Sequence, residues 1–219
     1  MIKNTVASFI QATPKRLYAA ERLAKWIEKY DLNKSTTLIQ GPGVNAWDHF
    51  FNVMEAMCAC DAEWVIRFED DAIIGPNIRH NVLTWPEAKR NRFGVGWLYS
   101  APASIIDVIY EARTEPRHQN KWLEGCVAVL FKRDVLRDNL LPYIRKWAEK
   151  NPAGYCYDYA ISAGVKNAGY EIWRHNPPIV EHDSTIKSSF NHTILPEHCT
   201  MGAFRKNFKR PGATPEEEP

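Results

Sequence analysis

Trp64-Val65-Ile66-Arg67-Phe68-Glu69-Asp70-Asp71-Ala72-Ile73-Ile74-Gly75-Pro76 is an apolar run that ends in three consecutive carboxylates and then a turn. Three acids at the end of a buried strand repel one another and lose hydration, so they persist where a cation sits among them. The stretch predicts a metal-dependent active site. Its bland alternative is a solvated acidic turn capping the helix that follows.

Outward from this stretch, strands alternate with helices. Val6 to Ile10 reads as a first buried strand, and Gln11-Ala12-Thr13-Pro14-Lys15-Arg16 as a turn that places Pro near a helix start. Leu17, Ala20, Leu23, Ala24, Ile27 and Tyr30 recur at helical spacing. Thr36 to Gln40 reads as a second strand, broken by Gly41-Pro42-Gly43. Phe50, Val53, Met54 and Met57 then mark one face of a second helix.

Downstream, the pattern predicts a helix from Pro76 to Ala88 and strands at Phe93 to Tyr99 and Val127 to Phe131. It leaves Ser100 to Gln119 open between helix and strand. Asp134 to Lys150 reads as a helix interrupted at Pro142. A helix follows through Tyr157, Ala160, Ile161, Gly164, Val165 and Ala168, then a last short strand, Tyr170 to Trp173. Such alternation implies right-handed crossovers and a mainly parallel sheet covered on both faces.

The 219 residues, 45% hydrophobic and 25% charged, suit one globular domain over 1–204. Residues 205–219 read as a tail, basic at Arg205 to Arg210 and then Pro- and Glu-rich, with a composition that favours partial disorder. No apolar run of about 18 residues and no signal-peptide pattern is present, which predicts a soluble cytoplasmic protein. Cys58, Cys60, Cys126, Cys156 and Cys199 are odd in number and lie mostly in apolar segments, as reduced core thiols do. A net charge of +2 is too mild to announce nucleic-acid binding by itself.

A strand ending in Phe68-Glu69-Asp70-Asp71, followed by an apolar pair and a Pro, resembles the acidic metal motif of GT-A glycosyltransferases of the small bacterial or phage type. Two later segments agree with it. In Gly154-Tyr155-Cys156-Tyr157-Asp158-Tyr159-Ala160, Asp158 opens a predicted helix, where the helix dipole favours an ionised carboxylate. Pro177 to Ser189 resembles the segment in which a His completes the metal shell.

The resemblance implies an α/β GT-A (Rossmann-like) fold: a mainly parallel central sheet flanked by helices, with a small antiparallel acceptor-side element. It implies a hexosyltransferase-like enzyme that moves a sugar from a nucleotide diphosphate, UDP being the family's commonest, to an acceptor hydroxyl. By the same resemblance Mn²⁺ or Mg²⁺ would be held by Asp71 and His182. Thr13, Pro14, Arg16, Glu69, Asp70, Lys187 and Ser188 would bind the nucleotide sugar, and Asp158 would be the base of an inverting reaction. Trp122, Glu124, Gly125 and Tyr157 would lie on the acceptor side. The acceptor is a bacterial surface glycan or a hydroxymethylated base of phage DNA; Lys89, Arg90, Arg92 and the cluster at 205–210 favour a polyanion.

Two other classes fit parts of the pattern. A nucleotidyltransferase of related topology also holds a metal on strand-end carboxylates, but Gln11-Ala12-Thr13-Pro14 has no Gly-rich phosphate loop. A non-catalytic module for nucleic acid or carbohydrate needs neither Asp158 nor His182.

Overall fold

The computed structural model describes residues 5–31, 35–99, 118–120, 122–123, 125–151, 157–175, 178–183 and 185–186. Strand β1 (Val6–Ala12) leads through a 3-10 turn (Pro14–Arg16) into α1 (Leu17–Asp31), and β2 (Ser35–Ile39) leads into α2 (Ala46–Ala59). Thr13 is extended just before Pro14, which takes the first helical position where a missing N–H costs nothing. Asn45 caps α2 by accepting a hydrogen bond from the Asp48 backbone N–H at 2.8 Å.

Next come β3 (Trp64–Glu69), β4 (Ala72–Ile74), α3 (Ile78–Thr84) and β5 (Phe93–Trp97). β6 (His118–Asn120) and β7 (Ala128–Lys132) precede a helical turn (Arg133–Val135), a π-helical stretch (Leu136–Leu140) and α4 (Leu141–Lys150). The chain then forms α5 (Tyr157–Asn167), β8 (Glu171–Arg174) and β9 (Val180–His182).

The main sheet has the order β2-β1-β3-β7-β5-β8-β6. β2, β1, β3, β5 and β8 run one way, while β7, wedged between β3 and β5, and β6 at the edge run the other. The mainly parallel sheet is therefore present. The small antiparallel element is the pair β4 and β9, registered Ala72 against His182.

Alternation along the strands sorts side chains between two cores. Ile10, Ile66 and Phe68 face the core under α1 and α3, whereas Phe9 and Val65 face the core under α2 and α5. Arg67 and Glu69 continue the Val65 face, and β1 sets Phe9 opposite Arg67 and Gln11 opposite Glu69. A cation and an acid are thus delivered to the α2 and α5 side of the sheet.

Four sequence expectations shift. The helix after Pro76 stops at Thr84, because the Pro86 ring disfavours helical backbone at Trp85; a separate 3-10 turn covers Glu87–Lys89. The Asp134 to Lys150 helix is broken by π geometry, with Pro142 in the first turn of α4, where its ring is harmless. β8 is not the last strand, since β9 follows it. Tyr99 lies beyond β5 and bridges to Val180.

Trp47 and Trp97 are core residues, and Cys58, Cys60 and Cys126 are not in disulfides. No helix among the described residues is long and apolar enough to cross a membrane. The tail, together with Cys156, Cys199, Tyr155, Lys187, Ser188 and Glu124, lies outside the described residues.

Candidate active site

The carboxyl ends of β1 and β3 open into a cavity of about 250 Å³. It is lined by Gln11, Ala12, Thr13 and Arg16 from the β1 end, Gln40 after β2, and Ala46 and His49 from the first turn of α2. Arg67, Glu69, Asp70, Asp71, Tyr157 and His182 complete the wall. Crevices beyond the carboxyl ends of parallel strands are where α/β sheets bind ligands.

Asp70 and Asp71 form the tight turn between β3 and β4, and both are almost fully buried. Asp70 accepts hydrogen bonds from the Thr13 N–H at 3.1 Å and meets Arg16 Nη2 at 2.6 Å. The same guanidinium bridges to Asp71 Oδ2. His182 Nε2 reaches that oxygen at 3.0 Å, brought there by the pairing of β9 with β4. The Asp183 N–H, donating to the Asp71 carbonyl at 2.8 Å, pins the junction.

Burial raises the cost of ionising Asp71, but the His182 hydrogen bond, with the charges of His182 and Arg16, outweighs it and holds Asp71 below the usual carboxylate range. Burial pushes Asp70 up to about 7 against the pull of Arg16 and the Thr13 N–H, with Asp71 and Glu69 adding to the rise. Glu69 is likewise raised by burial, Arg67 opposing and Asp71 assisting. Three acids therefore share one place with Arg16, Arg67 and His182, and Asp71 carries the most secure negative charge.

These residues fit a divalent cation in one specific way. Asp71 Oδ1 is buried with no hydrogen-bond partner among the described residues, beside an oxygen already facing His182. No group of three or more His, Cys, Asp or Glu suited to a metal occurs among the described residues. Two protein ligands are what a hard cation uses when substrate phosphates supply much of its remaining shell.

Arg67 is the residue the sequence reading passed over. It is fully buried, and its guanidinium donates to Gln11 Oε1 at 2.8 Å and to the Cys126 carbonyl at 2.9 Å, and meets Glu69 Oε1 at 3.3 Å. The rings of Phe50 and Tyr157, stacked on each other at 4.6 Å, lie 5.3 and 5.4 Å from it. Tyr157 donates its hydroxyl to the Ala46 carbonyl at 2.9 Å, and burial pushes it up to about 12. The signal was a lone Arg inside an apolar strand, two residues before an acid and hence on the same face.

No family model matches the chain, and no curated protein matches it. Solved structures do. A structure of an active-site mutant of LgtC is similar at a TM-score of 0.51 and 10% identity, covering 91% of this chain and 93% of that one. LgtC is described elsewhere as a galactosyltransferase, in a complex with donor and acceptor sugar analogs that matches at a TM-score of 0.47 and 8% identity over 91% and 93% of the chains. A glycosyltransferase involved in glycosylation of the major capsid of PBCV-1 matches at 0.48 and 9% identity, over 80% of this chain and 93% of that one.

The chain has the GT-A fold. In this GT-A chain the sequence candidates divide into two groups. Thr13, Arg16, Glu69, Asp70, Asp71, His182 and Tyr157 all line the cavity; Pro14 supports it from the turn into α1.

Asp158, Gly125 and Trp122 form a second group that does not line this cavity. Asp158 sits in the first turn of α5, where its carboxylate accepts the Gly125 N–H at 3.2 Å and the Tyr159 N–H at 3.0 Å. Gly125 needs its positive φ of 93°, and a Cβ there would stand 3.2 Å from the Tyr99 ring. Trp122 is half exposed, with Tyr159 beside it and Lys166 Nζ 3.6 Å over its ring. The groups are joined through consecutive residues: Gly125 donates to Asp158, and the Cys126 carbonyl accepts from Arg67.

Proposed function

We propose that this chain is a glycosyltransferase that moves a sugar from a nucleotide diphosphate, UDP first among candidates, to an acceptor hydroxyl with inversion. The observation that carries the reading is the meeting of Asp71, His182, Glu69, Thr13 and Arg16 at one cavity beyond the carboxyl ends of β1 and β3 in a GT-A fold.

Asp71 and His182 are the residues to hold Mn²⁺ or Mg²⁺, whose charge, when the ion is bound, offsets that of the diphosphate. Arg16 pairs with Asp70 and Asp71 at the cavity wall, where its guanidinium can also meet phosphate oxygens. Glu69, steadied by Arg67, faces the donor, and Lys187 and Ser188 belong to the segment just past His182 that would meet the diphosphate. In the transfer, an acceptor oxygen attacks the anomeric carbon while the bond from that carbon to the phosphate oxygen breaks. The bonding pair leaves with the nucleoside diphosphate, and the acceptor proton goes to Asp158. Trp122, Glu124, Gly125 and Tyr157 frame the acceptor.

For the acceptor we favour a surface-glycan hydroxyl over a hydroxymethylated DNA base. Lys89, Arg90 and Arg92 precede β5 and so lie at the amino-terminal edge of the parallel strands, opposite the cavity. There Arg92 is engaged by the Gly169 carbonyl and Glu171, and Arg90 by the Trp173 ring. They do not add to a polyanion track at the site.

The test is calorimetric titration of a panel of nucleotide sugars in Mn²⁺ and in chelator. One donor is expected to bind in Mn²⁺, with Asp71→Asn reducing its affinity to the chelator value. No donor binding under any condition overturns the reading.

A further inference from the structure

We propose that His49 reads the nucleoside half of the donor through a hydrogen bond between its imidazole and the base or the ribose. This rests on the nucleotide-sugar reading above and adds to it a residue that neither the acidic motif nor the β1 loop brings in.

His49 sits in the first turn of α2, fixed there by its backbone N–H bond to the Asn45 carbonyl at 3.0 Å. It is 3% exposed and shares the wall of the cavity with Ala12, Thr13 and Gln40. Its Nε2 is buried with no partner among the described residues.

Burial holds the ring below its usual pKa, and the Arg67 cation adds to that, so His49 is neutral at physiological pH. A neutral imidazole carries one N–H and one lone pair, so it can donate to a ligand or accept from it. A buried ring nitrogen without a partner is costly, and a matching polar group of a ligand at that point removes the cost. Such an atom also discriminates, because a ligand without that group leaves the cost in place. The location suits the nucleoside: the phosphate-directed groups Arg16, Asp71 and His182 stand at the β3–β4 turn, whereas His49 stands between the β1 end and α2.

The experiment titrates UDP, CDP, ADP, GDP and inorganic pyrophosphate into the wild type in Mn²⁺, and then the tightest of them into His49→Phe and His49→Gln. Phenylalanine keeps an aromatic ring without nitrogens; glutamine returns an amide that both donates and accepts at about the reach of Nε2, and Ala12 keeps the Gln40 N–H at 2.9 Å. The expected result is a nucleoside diphosphate affinity lowered tenfold or more in H49F, partly recovered in H49Q, with pyrophosphate affinity unchanged in both. The 2′-deoxynucleotide then separates ribose from base: if the contact is to the 2′-hydroxyl, its removal weakens binding to the wild type about as much as H49F does and weakens binding to H49F little further. Nucleoside diphosphate binding equal in wild type and H49F overturns the role of His49 alone, as does a parallel loss of pyrophosphate. If neither nucleotides nor pyrophosphate bind the wild type, the donor reading falls as well.

Discussion

Asp158→Asn is expected to lower the transfer rate by a factor of about 10² to 10⁴ while leaving the dissociation constant of the nucleotide sugar nearly unchanged. The separation follows from the geometry. Asp158 is absent from the wall that holds the acidic motif, and its carboxylate is bound by the Gly125 and Tyr159 N–H groups. Two N–H donors on a first-turn carboxylate fix its direction. Asparagine can keep one of those bonds through its own oxygen, so the α5 start should survive while the proton acceptor is lost. Single-turnover transfer with saturating donor, paired with donor calorimetry, reads the two quantities separately. Equal losses in rate and donor affinity would assign Asp158 to helix capping, the plainer role of an acid at that place.

Arg67→Met is expected to destabilise the fold by about 3–5 kcal/mol and to abolish donor binding in whatever fraction remains folded. The guanidinium is fully buried and serves Gln11, Glu69 and the Cys126 carbonyl at once, with the Phe50 and Tyr157 rings beside it. Methionine fills much of the volume but leaves a half-buried acid, an amide oxygen and a carbonyl without their donor. Lysine should rescue little, because a point charge with rotating donors does not reproduce a planar fork aimed at three acceptors. Denaturant melts of both variants check the stability figure; an Arg67→Met protein as stable as the wild type would mean that water replaces the guanidinium at low cost.

The legible parts of this chain were those carried by short-range pattern. The short continuous apolar runs marked β1, β3, β5 and β7, the helical stripes marked α1 and α2, and the acid cluster after Phe68 marked the strand end where the cavity lies. His182 and Arg16 were recoverable only through the GT-A resemblance, since nothing local in Glu181-His182-Asp183 says that it returns to Asp71. β4 and β9, three residues each, are too short to show alternation, and their pairing links positions over a hundred residues apart. The reversal of β7 is invisible because strand direction is set by connection and not by composition. Arg67 and His49 were missed for the same reason. Each looks like an ordinary residue of its own element and acquires meaning from Gln11 and Cys126 in one case, and from Ala12 in the other.

The joining of β4 to β9 bears on when the site exists at all. A two-stranded ribbon of three-residue strands has no stability of its own and depends on docking; here Ala72, Ile74 and Val180 all pack into the core, while His182, opposite Ala72, lies on the cavity wall at the outer end. That outer end should open in brief local excursions that leave the seven-stranded sheet intact, parting Asp71 from His182 each time. A bound donor and cation that need both residues can engage only the closed form and so shift the population toward it. Amide hydrogen exchange should therefore slow on donor binding at 72–74 and 180–182 more than in β1 or β3, so that occupancy of the site is recorded in the backbone as protection.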